Sequence, residues 1–179
     1  MVFGLGSQAL AANGGGGKGG GSGGDGGDET EPTVSYDVVA LDDASGRYTD
    51  AWARDINDSG TVVGSAEDSG SAWVATCWTT AYVGGPLTTQ LKVLDGGTGG
   101  MAYGINNHGQ IVGVGLDSSG NDLGLYWPSA TKAPLTLSPL PEHSISWARG
   151  INEDGVICGN SISQRPSPEV PVVWRVGVD

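Results

Sequence analysis

The chain has 179 residues and a net charge of −12. A carboxylate surplus of that size repels phosphate backbones, which excludes nucleic acid as a partner, and no stretch comes near the ~20 apolar residues of a membrane-crossing helix, so no transmembrane span is expected. Of the 33 glycines, 13 fall in the first 32 residues, and the core must be built from residues 33–179, enough chain for one all-β domain.

Those first residues divide in two. Ala9-Leu10-Ala11 fits the small-residue cleavage pattern of a secretory signal, although no basic start and no long apolar run precede it. Residues 1–12 are therefore read as the remnant of a signal whose start lies upstream, and the protein as secreted, periplasmic or displayed at the cell surface. Residues 13–32 read as a Gly-rich flexible tether. Its carboxylates Asp25, Asp28, Glu29 and Glu31 lie among glycines, where ordering them around a cation is entropically costly.

From residue 33 onward one nine-residue shape occurs three times: Ile56-Asn57-Asp58-Ser59-Gly60-Thr61-Val62-Val63-Gly64, then Ile105 to Gly113, then Ile151 to Gly159. Its asparagines, Asn57, Asn106 and Asn152, are spaced 49 and 46 residues apart, a period that marks tandem supersecondary units. Asparagine followed by two polar residues and a glycine (Gly60, Gly109, Gly155) predicts a hairpin corner, the glycine taking the left-handed conformation. The closing glycine (Gly64, Gly113, Gly159) sits inside a strand pattern, where a missing side chain marks a bulge or the close approach of another backbone.

The units are expected over 33–85, 86–133 and 134–179, four strands in each. The first holds Tyr36–Leu41, Trp52–Ile56, Thr61–Ala66 and Trp73–Trp78. The second holds Leu91–Leu94, Met101–Ile105, Gln110–Gly115 and Leu123–Trp127, and the third Leu135–Leu137, Trp147–Ile151, Val156–Asn160 and Val170–Trp174. Register between copies is tight: Ala53, Ala102 and Ala148 lie three residues before Ile56, Ile105 and Ile151, and Trp78, Trp127 and Trp174 lie 14, 14 and 15 residues after the closing glycine. Apolar neighbours such as Val62-Val63 and Ile111-Val112 predict strands buried on both faces, which sheets stacked face to face provide.

The pattern A-x-x-I-N-x-x-G-x-[VI]-[VC]-G, preceded by an apolar strand and closed by Trp, resembles the HAF family of probable extracellular repeats of bacteria. The lead-ins Tyr36-x-Val38-x-x-Leu41 and Val93-Leu94-Asp95-Gly96-Gly97 are similar to the family's own, and the likeness covers residues 34–178. It implies secretion and a propeller-like repeat fold, with no catalytic residues to carry over. The family's name-giving His-Ala-Phe is absent, with Val74-Ala75-Thr76, Leu123-Gly124-Leu125 and Val170-Pro171-Val172 in its place.

Four strands per unit is the arithmetic of a β-propeller blade. Three blades form a partial propeller with uncovered faces at both ends, to be covered by a second chain completing a six-blade ring or by further repeats of a longer protein. A β-trefoil or other threefold barrel is the alternative, since it removes the edges within one chain.

Chemistry is sparse. Asp55 to Gly60 imitates the start of a calcium loop, but its twelfth position is Ala66 and the second copy begins with Gly104, so a turn is expected and no metal or cofactor. Cys77 and Cys158 occupy different places in their repeats and read as two small buried thiols. His108 falls in a corner and His143 in a Pro-rich connection, neither beside a nucleophile signature. Asp42, Asp55 and Asp154 are the acids from which a glycosidase pair could be drawn. The candidate binding residues flank the recurring Ala: Trp52, Arg54, Tyr103, Trp147 and Arg149, with Met101 between, aligned along one rim and suited to protein or glycan contact. The expected function is a secreted non-catalytic repeat module with a structural or binding role. The alternatives are a propeller-type carbohydrate-active enzyme and a fragment of a longer propeller protein.

Overall fold

The computed structural model of the chain describes residues 35–41, 48–80 and 87–177; the expected signal remnant, the glycine tether and Asp42 lie outside them. The chain divides into two units, 1–40 and 41–179. In the first, the described residues 35–40 form no strand and leave Tyr36, Val38 and Val39 exposed.

The second unit is all-β, and its described residues contain no helix. Its first sheet is β1 (Tyr48–Ile56), β2 (Thr61–Asp68), β3 (Trp73–Thr79) and β4 (Leu87–Gln90), in that order. The second sheet is β5 (Gly100–Ile105), β6 (Ile111–Leu116), β7 (Asp122–Trp127) and β8 (Leu135–Leu137), and the third is β9 (Ile145–Ile151), β10 (Val156–Ile162) and β11 (Val170–Arg175). All neighbours are antiparallel. Each sheet is open, and no closed barrel forms among the described residues, contrary to the threefold-barrel alternative.

The corners form as their residues require. In the first, Gly60 donates its N–H to the Asn57 carbonyl at 2.9 Å, and the Asn57 side-chain oxygen accepts the Thr61 N–H at 3.0 Å. The same bonds recur at Asn106, which accepts from His108 and Gln110, and at Asn152, which accepts from Val156. Gly60, Gly109 and Gly155 have φ of 76°, 74° and 70°, the left-handed conformation that glycine adopts without a Cβ penalty.

The corners also tie the sheets to one another. The Asn57 amide Nδ2 donates to the Asn106 carbonyl at 3.1 Å, and the Asn106 Nδ2 to the Asn152 carbonyl at 3.0 Å. Beside this ladder runs a second. The Asp58 N–H donates to Asn107 Oδ1 at 2.8 Å, and the Asn107 N–H to the Glu153 carboxylate at 3.1 Å.

Two expected strands are regrouped. Leu135–Leu137, expected to open the third unit, hydrogen-bonds to β7 at the edge of the second sheet. The lead-in of the second unit pairs with β3 through Leu87–Gln90, ahead of the expected Leu91–Leu94, and the ladder reaches Leu91 through its N–H to Ala75. A short connection from a strand reaches its own antiparallel neighbour before anything else, so each lead-in belongs to the sheet that precedes it. For Tyr36–Leu41 the described residues hold no preceding sheet, and the strand expected there is not formed. The third sheet has three described strands for the same reason, its lead-in having joined the second.

The second sheet is covered on both sides, β5 packing on β1, β2 and β3, and β9 on β5, β6 and β7. Val63, Ala75, Cys77, Ala102, Ile105, Ile111, Leu125 and Trp127 make the core between first and second sheets, and Val112, Tyr126, Ala148 and Ile157 the core between second and third. Ile111 and Val112, adjacent in sequence, thus enter different cores, as alternation along a strand requires. Trp127 is 1% exposed and its indole N–H is satisfied by the Lys92 carbonyl at 2.8 Å.

Candidate functional site

Each sheet builds one bulge in the same place. Ala53 pairs with Gly64 and Asp55 with Val63, leaving Arg54 unpaired; Tyr103 and Arg149 are skipped in the same way between Ala102 and Gly104 and between Ala148 and Gly150. The cause lies across the ladder. A Cβ on Gly64, Gly113 or Gly159 would overlap the carbonyl oxygen of Trp52, Met101 or Trp147, so the glycine is what allows the bulged strand to come that close. Bulges re-aim a side chain, and here they turn Arg54, Tyr103 and Arg149 towards one another across three sheets.

The result is a continuous row. The Arg54 guanidinium lies 5.0 Å from the Trp52 ring centre and 5.6 Å from that of Tyr103, and the Arg149 guanidinium 5.1 Å from Tyr103 and 4.5 Å from Trp147. All five predicted binding residues are brought together. Three more extend the row. Trp73 packs against Trp52 with centres 4.8 Å apart; Arg165 lies 4.6 Å from the Trp147 ring; and Asp122 Oδ2 accepts from Trp147 Nε1 at 3.0 Å and Arg165 Nη2 at 2.8 Å. Trp73 and Asp122 hold the same place, five residues before the recurring Trp, a periodic signal that could have found them. Arg165 comes from the β10–β11 loop, where the repeat has no say.

Trp52, Arg54, Arg149 and Arg165 are exposed, and Trp73, Tyr103 and Trp147 half-buried. Each guanidinium–ring contact at such exposure is worth about 0.5–1 kcal/mol, enough to hold the row in line but not to drive folding. Three of the chain's five arginines stand here in a protein of net charge −12.

The other candidates stay apart. Asp55 is engaged structurally, Oδ2 accepting the Ile105 N–H at 2.9 Å and Oδ1 the Ile56 N–H, while Asp154 lies in the exposed corner of the third sheet, with the second sheet between them. His108 stands 3.8 Å from Glu153 with both side chains mostly exposed. His143 Nδ1 meets Ser161 Oγ at 2.9 Å, but Ser161 is fully buried and its oxygen also accepts the Leu140 N–H, so it is not presented to a substrate. Asp117 gathers the N–H groups of Asn121 and Ser119; these bonds, those of Asn121 foremost, hold its carboxyl below the usual range. Among the described residues no three His, Cys, Asp or Glu side chains are grouped to hold a metal.

The cysteines differ. Cys77 is buried, and burial pushes its thiol up. Cys158, expected to be buried, is exposed. It occupies the place of Val63 and Val112, which the following sheet covers, and no described sheet follows the third.

Hollows open on the surface of the described residues. One of about 430 Å³ lies on the first sheet between Leu41, Tyr48, Ala53 and Trp78, and one of about 470 Å³ beside the second and third corners, between His108, Tyr126, Glu153 and Asp154.

No family model matches the chain, and neither a curated protein nor a solved structure does.

Proposed function

We propose that this chain is a secreted, non-catalytic repeat module whose sheets are blades of the propeller type, and that it binds an acidic carbohydrate along the row from Trp52 to Arg165. The likeness of the three corner motifs to the HAF extracellular repeats supports the first part. The row itself carries the second. Its rings are held between guanidiniums, so what it offers is a line of cations on an apolar backing, and a guanidinium takes a carboxylate or sulfate in a fixed fork. Its cations are the local exception on an acidic surface, which selects an anionic ligand from the surroundings. The separation of Asp55 from Asp154 supports a module that holds its ligand without cleaving it, because glycoside hydrolysis needs two carboxyls within about 5–10 Å across one bond.

Titration of tryptophan fluorescence tests the reading. A polyuronate is expected to quench the emission of the full chain and a neutral glucan to leave it unchanged. Arg149→Ala, at an exposed position, removes one fork and is expected to weaken binding about tenfold, the equivalent of 1.4 kcal/mol. Equal response to both polymers, or to neither, would sink the assignment; a response only to carboxylate-rich proteins would move the ligand to that class.

A further inference from the structure

The two ends of the stack are complementary to each other. Several positions that are buried inside the stack are exposed at its ends, while Trp78 and Val62 on the outer face of the first sheet are 2% and 7% exposed, with Leu41 and Tyr48 of the same chain packed against them. Cys77 and Tyr126 are 3% and 4% exposed, while Val173, in the same place on the third sheet, is 62% exposed. Ala102 and Ala148 are fully buried, while Ala53 on the first sheet is exposed. Between the first and second sheets, Val63, Ala75 and Cys77 pack against Leu94, Ala102 and Trp127. The same three places on the third sheet are Cys158, Pro171 and Val173, all exposed, and the same three on the first sheet are Leu41, Ala53 and Trp78, which line the 430 Å³ hollow.

The polar ladders are unfinished in matching ways. Among the described residues nothing accepts from Asn152 Nδ2, the third donor of the asparagine ladder, and the Asn57 carbonyl, which accepts only the Gly60 N–H, has the second lone pair that Asn106 and Asn152 use between sheets. In the parallel ladder the Glu153 N–H has no acceptor among the described residues, and Asp58, whose Oδ2 already accepts from Asn107 Nδ2 at 2.7 Å, bears the carboxylate at the acceptor position.

We propose that a second copy of this chain seats its first sheet on the third sheet of the first copy, and receives the first copy's in return, so that two chains close into a ring of six sheets. The contact is heterologous, each copy giving one head and one tail, and closure leaves no face open. At each junction Asn152 Nδ2 donates to Asn57 of the other copy, Glu153 N–H to Asp58, and Cys158, Pro171 and Val173 fill the hollow beside Ala53. Repetition of the rim places Arg149 next to Arg54 of the other copy, and each chain carries net charge −12. Salt therefore strengthens the association by screening like charges. The inference stands on the stacking of the sheets and not on the ligand proposed above.

Two substitutions at exposed positions test it, Ala53→Arg at the head and Val173→Asp at the tail, with circular dichroism to show that each variant keeps the strand content of the parent. Light scattering of the full chain at ~0.1 mM, a concentration that populates a dimer of micromolar affinity, is expected to give the mass of two chains, and each variant the mass of one. An equimolar mixture of the variants regains part of the double mass, more than either variant alone and less than the parent, because the good tail of the Ala53→Arg chain and the good head of the Val173→Asp chain restore one of the two junctions. The Cys158 thiol is expected to react with Ellman's reagent at least ~10-fold faster in either variant than in the parent pair, as its access to solvent changes. A parent that stays single at ~0.1 mM in ~0.5 M salt overturns the proposal, as does a dimer that survives either substitution alone, since that dimer would be head to head or tail to tail.

Discussion

The corner asparagines do more than turn the chain. Asn106 is 2% exposed and fully used: its oxygen accepts two backbone N–H groups, and its amide donates to Gln110 and to the Asn152 carbonyl. Asn152 is exposed and shows one of these bonds, to Val156. Removing the side chain therefore has different costs at two places that look alike in sequence. Asn106→Ala leaves the part-buried N–H groups of His108 and Gln110 unpaired and removes the bond to the Asn152 carbonyl, and is expected to destabilise by about 2–4 kcal/mol, whereas Asn152→Ala loses one exposed bond, about 1 kcal/mol. Urea unfolding of both variants, held as single chains, gives the comparison; equal losses would mean that the ladder between sheets contributes nothing. Residue by residue, the turn chemistry was legible because Asx and left-handed glycine preferences act within four residues of chain. The different burial of the three asparagines was not, because it depends on which neighbour stands beyond each.

At the scale of the strand, two kinds of glycine serve two purposes. Gly109 needs only its φ of 74°, and nothing lies within 4 Å of where a Cβ would be. Gly113 has an ordinary φ but no room, its missing Cβ being occupied by the Met101 carbonyl. Gly109→Ala is expected to cost about 1 kcal/mol, the conformational penalty alone. Gly113→Ala must move the backbone of β5, undoing the bulge that aims Tyr103, and is expected to cost more than about 3 kcal/mol. Thermal unfolding separates them, and near-ultraviolet circular dichroism follows the aromatic row, which only Gly113→Ala should disturb. The closing glycine was read from sequence as a bulge or a close approach, and it is both. Leu135–Leu137, expected to open the third unit, pairs at the edge of the second sheet, because pairing partners on either side satisfy the same local pattern and only the fold chooses between them.

At the scale of the whole molecule, position in the stack sets what an equivalent residue is worth. Trp127 closes the core between two sheets at 1% exposure, while Trp174, packed on the same kind of surface, remains half-buried at the margin of the third sheet. Trp127→Ala is expected to cost about 3–5 kcal/mol and Trp174→Ala clearly less, a difference that denaturant unfolding of the two variants reads directly. A larger loss at Trp174 would show that the third sheet, and not the second, holds the stack together.

Periodic residues by themselves determined the corners, the bulge positions, the strands buried on both faces and the alignment of Trp52, Arg54, Tyr103, Trp147 and Arg149, because each of these follows from interactions within a strand or between strands that a short turn joins. Only the tertiary structure decided that lead-in strands join the preceding sheet, that Arg165 and Asp122 complete the row, and that Cys158 and Val173 stand open while Val63 and Cys77 are sealed. Burial belongs to a pair of surfaces, and a linear chain names only one of them.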